Sequence, residues 1–266
     1  MANDRNADEN LMTQQRREKI VELVQSQGSA RVSELADRFQ VSEVTIRTDL
    51  VRLEREGLLT RGRGGALAKP SPVPVTSLLR VDQRAVLNLE QKRRIAQAAA
   101  AMIAPGDTII MDAGTTAVEM VTPLTAIKPL TVVTNALNVA LELGARSDAH
   151  VVLLGGTLNR ESSSTLGPIA EHNLDQLVVQ KLFLGTQAMN LEHGLTDSTI
   201  EIAQVKRAMI RNARQVILLT DSSKWDRVGF TKVAPLTEID TIICDTGLPE
   251  EARAAIQHLG VELLLV

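Results

Sequence analysis

The sequence predicts an α/β protein in which a small helical domain precedes a larger domain built on a mainly parallel β-sheet. Residues 14–68 contain three helix-like stretches and then a short segment rich in glycine and arginine. A proline-rich stretch separates them from the rest of the chain. From Asp107 onward, apolar runs of four to seven residues alternate with helix-like stretches, which is typical of a parallel sheet covered by helices.

The composition fits a folded protein of two domains with no membrane-spanning segment. The chain has 266 residues, of which 44% are hydrophobic, and a net charge of −3; this length suits two domains. No apolar run approaches the roughly 20 residues that span a bilayer, and residues 1–10 contain no apolar signal segment. The single cysteine, Cys244, cannot form an internal disulfide. We therefore expect a cytoplasmic protein.

Residues 14–68 are predicted to form a winged helix-turn-helix domain, preceded by a disordered segment over residues 1–13. Helical periodicity extends from Arg16 to Gln27, from Val32 onward and from Ser42 to Leu53. The break between the second and third helices is short, and the outer face of the third is polar. Two helices joined in this way are typical of a DNA-binding helix-turn-helix.

The third helix carries the strongest functional signal in the chain. Ile46, Leu50 and Leu53 lie at i, i+4 and i+7 and form an apolar stripe for packing. Side chains off this stripe are short, hydrogen-bonding or cationic, which suits contact with base edges and phosphates in a major groove. The predicted DNA contacts on this helix, with Ser42 also acting as its N-cap, are Ser42, Glu43, Val44, Thr45, Arg47 and Thr48.

The segment from Leu58 to Leu67 has two short apolar ends around a tip of glycine and arginine, which predicts a β-hairpin. As a wing it would place Arg61, Arg63 and Gly64 beside the DNA backbone or the minor groove; the alternative is an exposed glycine-rich turn. Residues 1–69 hold 12 Lys and Arg against 11 Asp and Glu, so DNA affinity must come from local charge placement. With no Tyr, one Trp and three Phe, the chain favours duplex over single-stranded nucleic acid.

Residues 69–85 are predicted to be a semi-extended linker, because three prolines fall within Lys69 to Val75. The second domain covers residues 86–266. Its predicted strands are Thr108–Met111, Leu130–Thr134, His150–Leu154, Leu182–Leu184, Val216–Thr220, Thr241–Cys244 and Val261–Val266. Its predicted helices are Leu87 to Ile103 and residues 116–127, 136–146, 167–178, 199–213 and 249–258.

Small, polar and glycine-rich segments follow several of the predicted strands, at the edge where open α/β sheets bind ligands. Asp112-Ala-Gly-Thr-Thr116 enters a helix N-terminus, which favours phosphate or carboxylate, and Asp221-Ser-Ser-Lys224 adds hydroxyls and an ammonium. Each segment alone is common turn chemistry, but their convergence favours a phosphorylated small molecule. For Lys206, an exposed helix face is an equal alternative. The candidate ligand residues are Asp112, Gly114, Thr115, Thr116, Asn135, Gly155, Gly156, Lys206 and Lys224.

The four histidines, at positions 150, 172, 193 and 258, lack metal-ligand spacing with cysteines or acids. We therefore expect no metal site, no cofactor and no catalytic residue.

The chain resembles the DeoR/GlpR family of bacterial transcription regulators over about residues 15–266. In the first domain the resemblance lies in Val41-Ser42, Thr45-Ile46-Arg47, Asp49-Leu50, Leu53-Glu54, Gly57 and Arg61 to Ala66. In the second domain it lies in Asp112-Ala-Gly-Thr-Thr116, Thr134-Asn135, Gly155-Gly156, Lys206 and Asp221-Ser-Ser-Lys224.

The resemblance implies a regulator, usually a repressor, of sugar-utilisation genes that binds duplex operator DNA as a homo-oligomer, either a dimer or a tetramer. A phosphorylated sugar would release it, bound in an effector domain similar to ribose-5-phosphate isomerase. The effector contacts carried over most directly are Asp112, Gly114, Thr115, Thr116 and Lys224.

Two positions depart from this pattern. Thr48 stands where many members of the family carry an arginine, which puts one DNA contact in doubt. The related isomerases place acidic catalytic residues after the strand that corresponds to Phe183-Leu-Gly-Thr-Gln187, where this chain has no acid before Glu192. A non-enzymatic regulator is therefore expected, since an isomerase needs a positioned base. A sugar-phosphate isomerase and a transcriptional activator remain as alternatives.

Overall fold

The computed structural model describes residues 2–55, 58–68, 73–75 and 80–266. The chain divides into two compact units, Met1–Ser71 and Pro72–Val266. The boundary falls inside the predicted linker of residues 69–85, and most of that segment belongs to the second unit.

The first unit is a winged helix. Its helices are α1 (Ala2–Gln27), α2 (Val32–Phe39) and α3 (Glu43–Arg55), and its strands are β1 (Ser29–Arg31), β2 (Leu59–Gly62) and β3 (Gly65–Ala68). The strands form an antiparallel sheet in the order β1-β3-β2. The predicted helix-turn-helix and hairpin are thus both present, and β1 adds a third strand that the sequence did not indicate.

Helix α1 begins at Ala2, where the sequence predicted disorder over residues 1–13. No glycine or proline interrupts Ala2–Gln27, so nothing in its composition breaks the helix. The helical periodicity was visible only around Ile20 and Val24, which are fully buried. A polar helix start leaves no such pattern.

The second unit contains a seven-stranded parallel sheet in the order β17-β16-β13-β10-β5-β6-β7. All seven predicted strands belong to it. The strands of this unit are β4 (Val73–Val75), β5 (Thr108–Met111), β6 (Thr131–Thr134), β7 (His150–Leu153), β8 (Thr157–Asn159), β9 (Ser164–Leu166), β10 (Val179–Gly185), β11 (Ala188–Asn190), β12 (Gly194–Asp197), β13 (Ala213–Leu219), β14 (Arg227–Gly229), β15 (Thr231–Ala234), β16 (Thr241–Cys244) and β17 (Glu262–Leu265).

Helices cover the sheet, because its central strands are apolar on both faces. In β10, Phe183 packs into one hydrophobic cluster, whereas Leu182 and Leu184 pack into another, as the alternation of side chains along a strand requires. The helices are α4 (Val81–Ala85), α5 (Leu89–Ala100), α6 (Thr115–Leu124), α7 (Leu137–Arg146), α8 (Pro168–Asp175), α9 (Ile200–Arg211) and α10 (Glu250–His258). None of the described helices is long and apolar enough to cross a membrane.

Several short strands were not predicted. Strands β11, β12 and β15 form an antiparallel sheet, and β8 pairs with β9. They have three or four residues each, too few for a periodic pattern to stand out.

Part of the predicted linker is also structured. Strand β4 pairs in parallel with β14, and α4 follows it. Proline suits a strand that pairs on one side only, since no donor is needed on the other. Strand β4 is extended, and its pairing with β14 was not predicted.

Candidate functional site

The outer face of α3 is exposed, as a DNA-reading helix requires. Ser42 caps the helix: its Oγ accepts a hydrogen bond from the Thr45 amide at 3.1 Å. Val44 is 72% exposed, and Ser42, Glu43, Arg47 and Thr48 are exposed while Thr45 is half-buried. An exposed valine beside polar side chains can contact a thymine methyl group.

Arg47 and Thr48 are both engaged within the helix. A nitrogen of the Arg47 guanidinium donates to Glu43 Oε2 at 2.9 Å, and Thr48 Oγ1 donates to the Val44 carbonyl at 2.9 Å. An exposed i,i+4 ion pair contributes only about 0.3–0.5 kcal/mol, so Arg47 can exchange Glu43 for DNA at little cost. The Thr48 hydroxyl is already satisfied by its own helix.

The wing presents one arginine held in place and one at its tip. Arg61 donates from its backbone amide to Glu54 Oε1 at 3.0 Å and from Nε to Glu54 Oε2 at 2.7 Å. These hydrogen bonds lower the pKa of Glu54. Gly64 turns the hairpin with φ +82°. Arg63 beside it is exposed and makes no hydrogen bond or ion pair with the described residues.

A buried ion pair joins α1 to α3. Asp49 is 1% exposed, and its two carboxylate oxygens accept from Arg16 Nε and Arg17 Nε, each at 2.7 Å. The only sequence signal for this contact was an acid close to the apolar stripe of α3. The two ion pairs of Asp49 orient α3, the helix whose exposed face is predicted to contact DNA.

The second unit has a cavity of about 260 Å³ at the carboxyl ends of β5, β6, β10 and β13. Residues that directly follow these strands, Asp112, Asn135, Thr186 and Thr220, line it. Five cationic side chains and three acidic ones line the cavity, which leaves a net charge of +2 with every group ionised. These are Arg84, Lys92, Lys206, Lys224 and Arg227, and Asp112, Asp197 and Asp221.

The ammonium group of Lys206 is bound by other groups of the protein in a buried cluster of charges. Its Nζ lies 2.7 Å from Asp197 Oδ2 and 3.4 Å from Asp112 Oδ2, and it donates to the Gly185 carbonyl at 2.9 Å. Burial opposes the charge on Lys206, but the pull of both aspartates raises its pKa. Burial raises the pKa of Asp112, against the pull of Lys206. Since Lys206 is 6% exposed, the alternative of an exposed helix face is wrong.

Lys224 and Arg227, by contrast, are half-buried on the cavity wall, and their side chains make no hydrogen bond or ion pair with the described residues. Burial lowers the pKa of Lys224, although Asp221 opposes this. Asp221 itself accepts from the Ser223 amide at 3.1 Å and from Asn88 Nδ2 at 3.0 Å. Two cations therefore face the cavity with their donors available.

The N-terminus of α6 adds donors at the same place. Gly114 is its N-cap, and no side chain caps the helix. Thr115, Thr116 and Ala117, whose amides begin the helix, line the cavity. Amides at a helix N-terminus lack partners within the helix and attract anions.

Asn135 contributes an acceptor beside these donors. It is 2% exposed; its Nδ2 donates to the Thr165 carbonyl at 3.1 Å, while its Oδ1 is buried and has no hydrogen-bond partner among the described residues. A buried polar atom of this kind costs free energy unless a ligand or water satisfies it.

Gly155 and Gly156 do not line the cavity, contrary to the prediction. They follow β7, which is an edge strand of the sheet. The Gly155 amide donates to Asn173 Oδ1 at 3.2 Å, and a Cβ on Gly156 would lie 2.6 Å from the Leu166 carbonyl oxygen. Close packing of the chain explains these glycines.

The other predicted ligand residues all line the cavity, and the structure adds residues that the sequence did not single out. Among the additions are Arg84, Asn88, Lys92, Asp197 and Arg227. The sequence has no acid between Gly185 and Glu192, but Asp112, Asp197 and Asp221 reach the cavity from other elements. No cluster of three or more potential metal ligands occurs in the described part of the chain.

A winged helix followed by an α/β domain with a charged cavity is the architecture of a DNA-binding regulator with a ligand sensor. The DeoR-like helix-turn-helix domain matches residues 16–71, and the DeoR C terminal sensor domain matches residues 87–246. The chain therefore belongs to the DeoR family of transcriptional regulators.

Relatives match along nearly the whole chain. The putative aga operon transcriptional repressor of Escherichia coli O157:H7 is 37% identical over 254 residues, covering 96% of this chain and 94% of that protein. The HTH-type transcriptional regulator GlpR of Haloferax volcanii is 38% identical over 257 residues, covering 96% and 98%. Among solved structures, ribose 5-phosphate isomerase A from Methanocaldococcus jannaschii matches with a TM-score of 0.39 and 16% identity, covering 52% of this chain and 55% of that one. No function follows from so distant a likeness.

Proposed function

We propose that this chain represses a carbohydrate-utilisation operon by binding its operator, and that a phosphorylated sugar releases it. The observation that carries the proposal is the cavity, where Lys224 and Arg227, which have no hydrogen-bond or ion-pair partner among the described residues, lie with an N-terminus of α6 that no described side chain caps. A relative that bears the name of an operon repressor supports the same conclusion. Such a regulator acts in the cytoplasm, where its DNA lies.

The phosphate of the effector binds between Lys224, Arg227 and the first amides of α6. Charge-assisted hydrogen bonds from lysine, arginine and backbone amides are the strong ones in proteins, and the cavity charge of +2 matches a phosphate dianion. Sugar hydroxyls then donate to the unsatisfied Asn135 Oδ1 and to Asp112.

On the DNA side, α3 enters the major groove. Val44, Thr45, Arg47 and Thr48 contact base edges, with Ser42 and Glu43 at the helix entry, and Arg61, Arg63 and Gly64 lie along the backbone. Because residues 1–69 carry a charge of only +1, one domain binds weakly and two copies must act together. A homo-oligomer, dimer or tetramer, supplies them.

The effector acts only if it binds the DNA-releasing arrangement better than the DNA-binding one. A shift from 1:99 to 99:1 between two arrangements needs about 5.5 kcal/mol of differential affinity. A few charge-assisted hydrogen bonds, at about 1.5–3 kcal/mol each, can supply it.

The first test uses fluorescence anisotropy with an operator selected from a random duplex library. Pentose and hexose phosphates are added in turn, with the unphosphorylated sugars as controls. We expect one phosphorylated sugar to release the wild-type chain. Lys224→Ala should keep its operator affinity but need about ten times more of that sugar, because one charge-assisted hydrogen bond is lost.

The matched control is Lys232→Ala, since Lys232 is an exposed lysine of the same domain that does not line the cavity. It should be released like the wild type. If Lys224→Ala is also released normally, the effector binds elsewhere.

A sugar-phosphate isomerase is the second candidate, because Asp112 and Asp197 are buried in the cavity. Both carboxylates already bind Lys206, however, and no acid follows β10 before Glu192. We therefore expect no reaction. Incubation of the sugar panel in heavy water, followed by NMR, tests this: deuterium appearing beside the carbonyl carbon would establish proton transfer.

A further inference from the structure

The first residues of the second unit, which follow the DNA-binding domain in the chain, are hydrogen-bonded to the rest of that unit at several points. Strand β4 pairs with β14. The Val81 amide donates to the Glu161 carbonyl at 2.8 Å, and Asn88 Nδ2 donates to Asp221 Oδ1 at 3.0 Å and to Ser223 Oγ at 3.3 Å. The connecting segment, defined here as residues 73–75 and 80–92, is therefore part of the sensor domain.

The connecting segment also forms a wall of the cavity. Its lining residues are Val75, Arg84, Leu87, Asn88 and Lys92. A molecule in the cavity consequently touches the connecting segment itself.

Arg84 and Lys92 are the cations among the lining residues of this wall. Burial lowers the pKa of Arg84, while the carboxylates of Asp197 and Asp112 oppose that shift. Those carboxylates are shared with Lys206. A phosphate would offer the guanidinium a bidentate partner, which is a geometry that arginine favours.

A buried lysine of α5, at the end of the connecting segment, links the Arg84 backbone to that helix. Lys92 is 5% exposed, and its Nζ donates to the Leu87 carbonyl at 2.6 Å and to the Arg84 carbonyl. Since Lys92 lies on α5, a shift of the Arg84 backbone would break a buried hydrogen bond. The position of Arg84 therefore depends on how the whole connecting segment is docked.

We propose that Arg84 binds the anionic group of the ligand and that occupancy of the cavity thereby fastens the connecting segment to the sensor domain. This rests on the proposed function, in which the cavity holds a phosphorylated molecule. The ligand then acts directly on the chain between the two domains. Because binding free energies are reciprocal, operator DNA that favours a looser segment must weaken ligand binding by the same factor.

The test is hydrogen–deuterium exchange on the full chain, with inorganic phosphate as the probe. Phosphate should slow exchange of the amides in residues 80–92 about ten-fold, since a fastened segment opens less often. Arg84→Ala should bind phosphate about ten-fold more weakly by calorimetry, because a charge-assisted bond is lost, and should show no slowing at the wild-type phosphate concentration.

Arg80→Ala is the matched control, since Arg80 lies on the same segment with its side chain 69% exposed and does not line the cavity. It should behave as the wild type in both measurements. Arg84→Lys, which keeps the charge but loses the bidentate geometry, should bind with intermediate affinity. It also serves as the second variant should Arg84→Ala fail to fold.

The results distinguish a failure of this inference from a failure of the proposed function. If phosphate binds the wild type but residues 80–92 exchange as before, or if a folded Arg84 variant binds phosphate as tightly as the wild type, the inference is wrong and the proposed function stands. If neither phosphate nor any sugar phosphate binds the wild type, both are wrong.

Discussion

Two lysines that line one cavity differ in their neighbours, and this difference determines whether each ammonium group is available to a ligand. Lys206 is bound by Asp112 and Asp197 within the protein, so it organises the cavity and neutralises two acids. Lys224 has no such partner among the described residues and remains available to an anion. A count of charges treats these two lysines as equal, whereas the ion pairs of Lys206 mark it as a structural cation and leave Lys224 as the one proposed to bind the ligand.

Arg47 allows a test of whether an exposed cation of α3 contacts DNA. Arg47→Ala should lose about ten-fold or more of its preference for the operator over random duplex, because a good bidentate contact to a base contributes about 1–3 kcal/mol of discrimination. Its side chain is 63% exposed, so stability should change by less than about 0.5 kcal/mol. Competition binding and thermal unfolding measure the two effects.

Arg211→Ala is a suitable control for this variant, because its side chain is 59% exposed in the sensor domain. It should leave operator preference unchanged. An unaltered footprint of Arg47→Ala on the operator would show that α3 is not the recognition helix.

At the scale of elements, several residues that line the cavity lie at the ends of helices and strands. The first turn of α6 supplies amides to the cavity, and the ends of β5 and β6 supply Asp112 and Asn135. In the first unit, the packing of α1 on α3 depends on Asp49 and its two arginines. In each case, the packing of the helix or strand against its neighbours holds these groups in position.

Asp49→Asn tests the contact between α1 and α3. Removing one partner of a buried ion pair costs about 3–5 kcal/mol; the two arginine side chains are 16% and 18% exposed, so we expect about 2–3 kcal/mol. Chemical denaturation should show this loss, together with weaker operator binding.

The control is Asp37→Asn, which removes an exposed carboxylate of the same unit and should change stability by less than about 0.5 kcal/mol. Equal stability of the Asp37 and Asp49 variants would mean that the ion pair does not hold α1 in place.

At the scale of the whole molecule, a nearly neutral DNA-binding domain and a separate sensor domain fit a regulator that acts as paired copies. Half-sites read by paired helix-turn-helix units lie about 34 Å apart or at a multiple of that distance. In the proposed oligomer, the spacing of the paired winged helices would therefore matter as much as the contacts of one helix.

Insertion of about five base pairs between the half-sites of the operator tests the pairing, because it moves them to opposite faces of the duplex. We expect the affinity to fall nearly to that for a single half-site. Insertion of about ten base pairs should restore part of it. Equal affinity for all three duplexes in a mobility-shift titration would show that single domains bind independently.

The sequence by itself determined the main helices, the strands of the parallel sheet and much of the chemistry. The apolar stripe through Ile46, Leu50 and Leu53 fixed which face of α3 is free, and short apolar runs marked all seven strands of the parallel sheet. Turn chemistry after β5 and β13 also marked Asp112 and Lys224. These signals are local, since periodicity and capping record the environment of neighbouring residues in the chain.

Only the tertiary structure decided which of these segments meet. Strands β5 and β10 lie side by side within the sheet, whereas β7 lies at its edge, so Asp112 reaches the cavity and Gly155 does not. Arg84 and Asp197 come from a connecting segment and a short antiparallel strand that no periodic pattern marked. Strand order and the docking of short segments depend on contacts between distant parts of the chain, and hydrophobic periodicity carries no record of them.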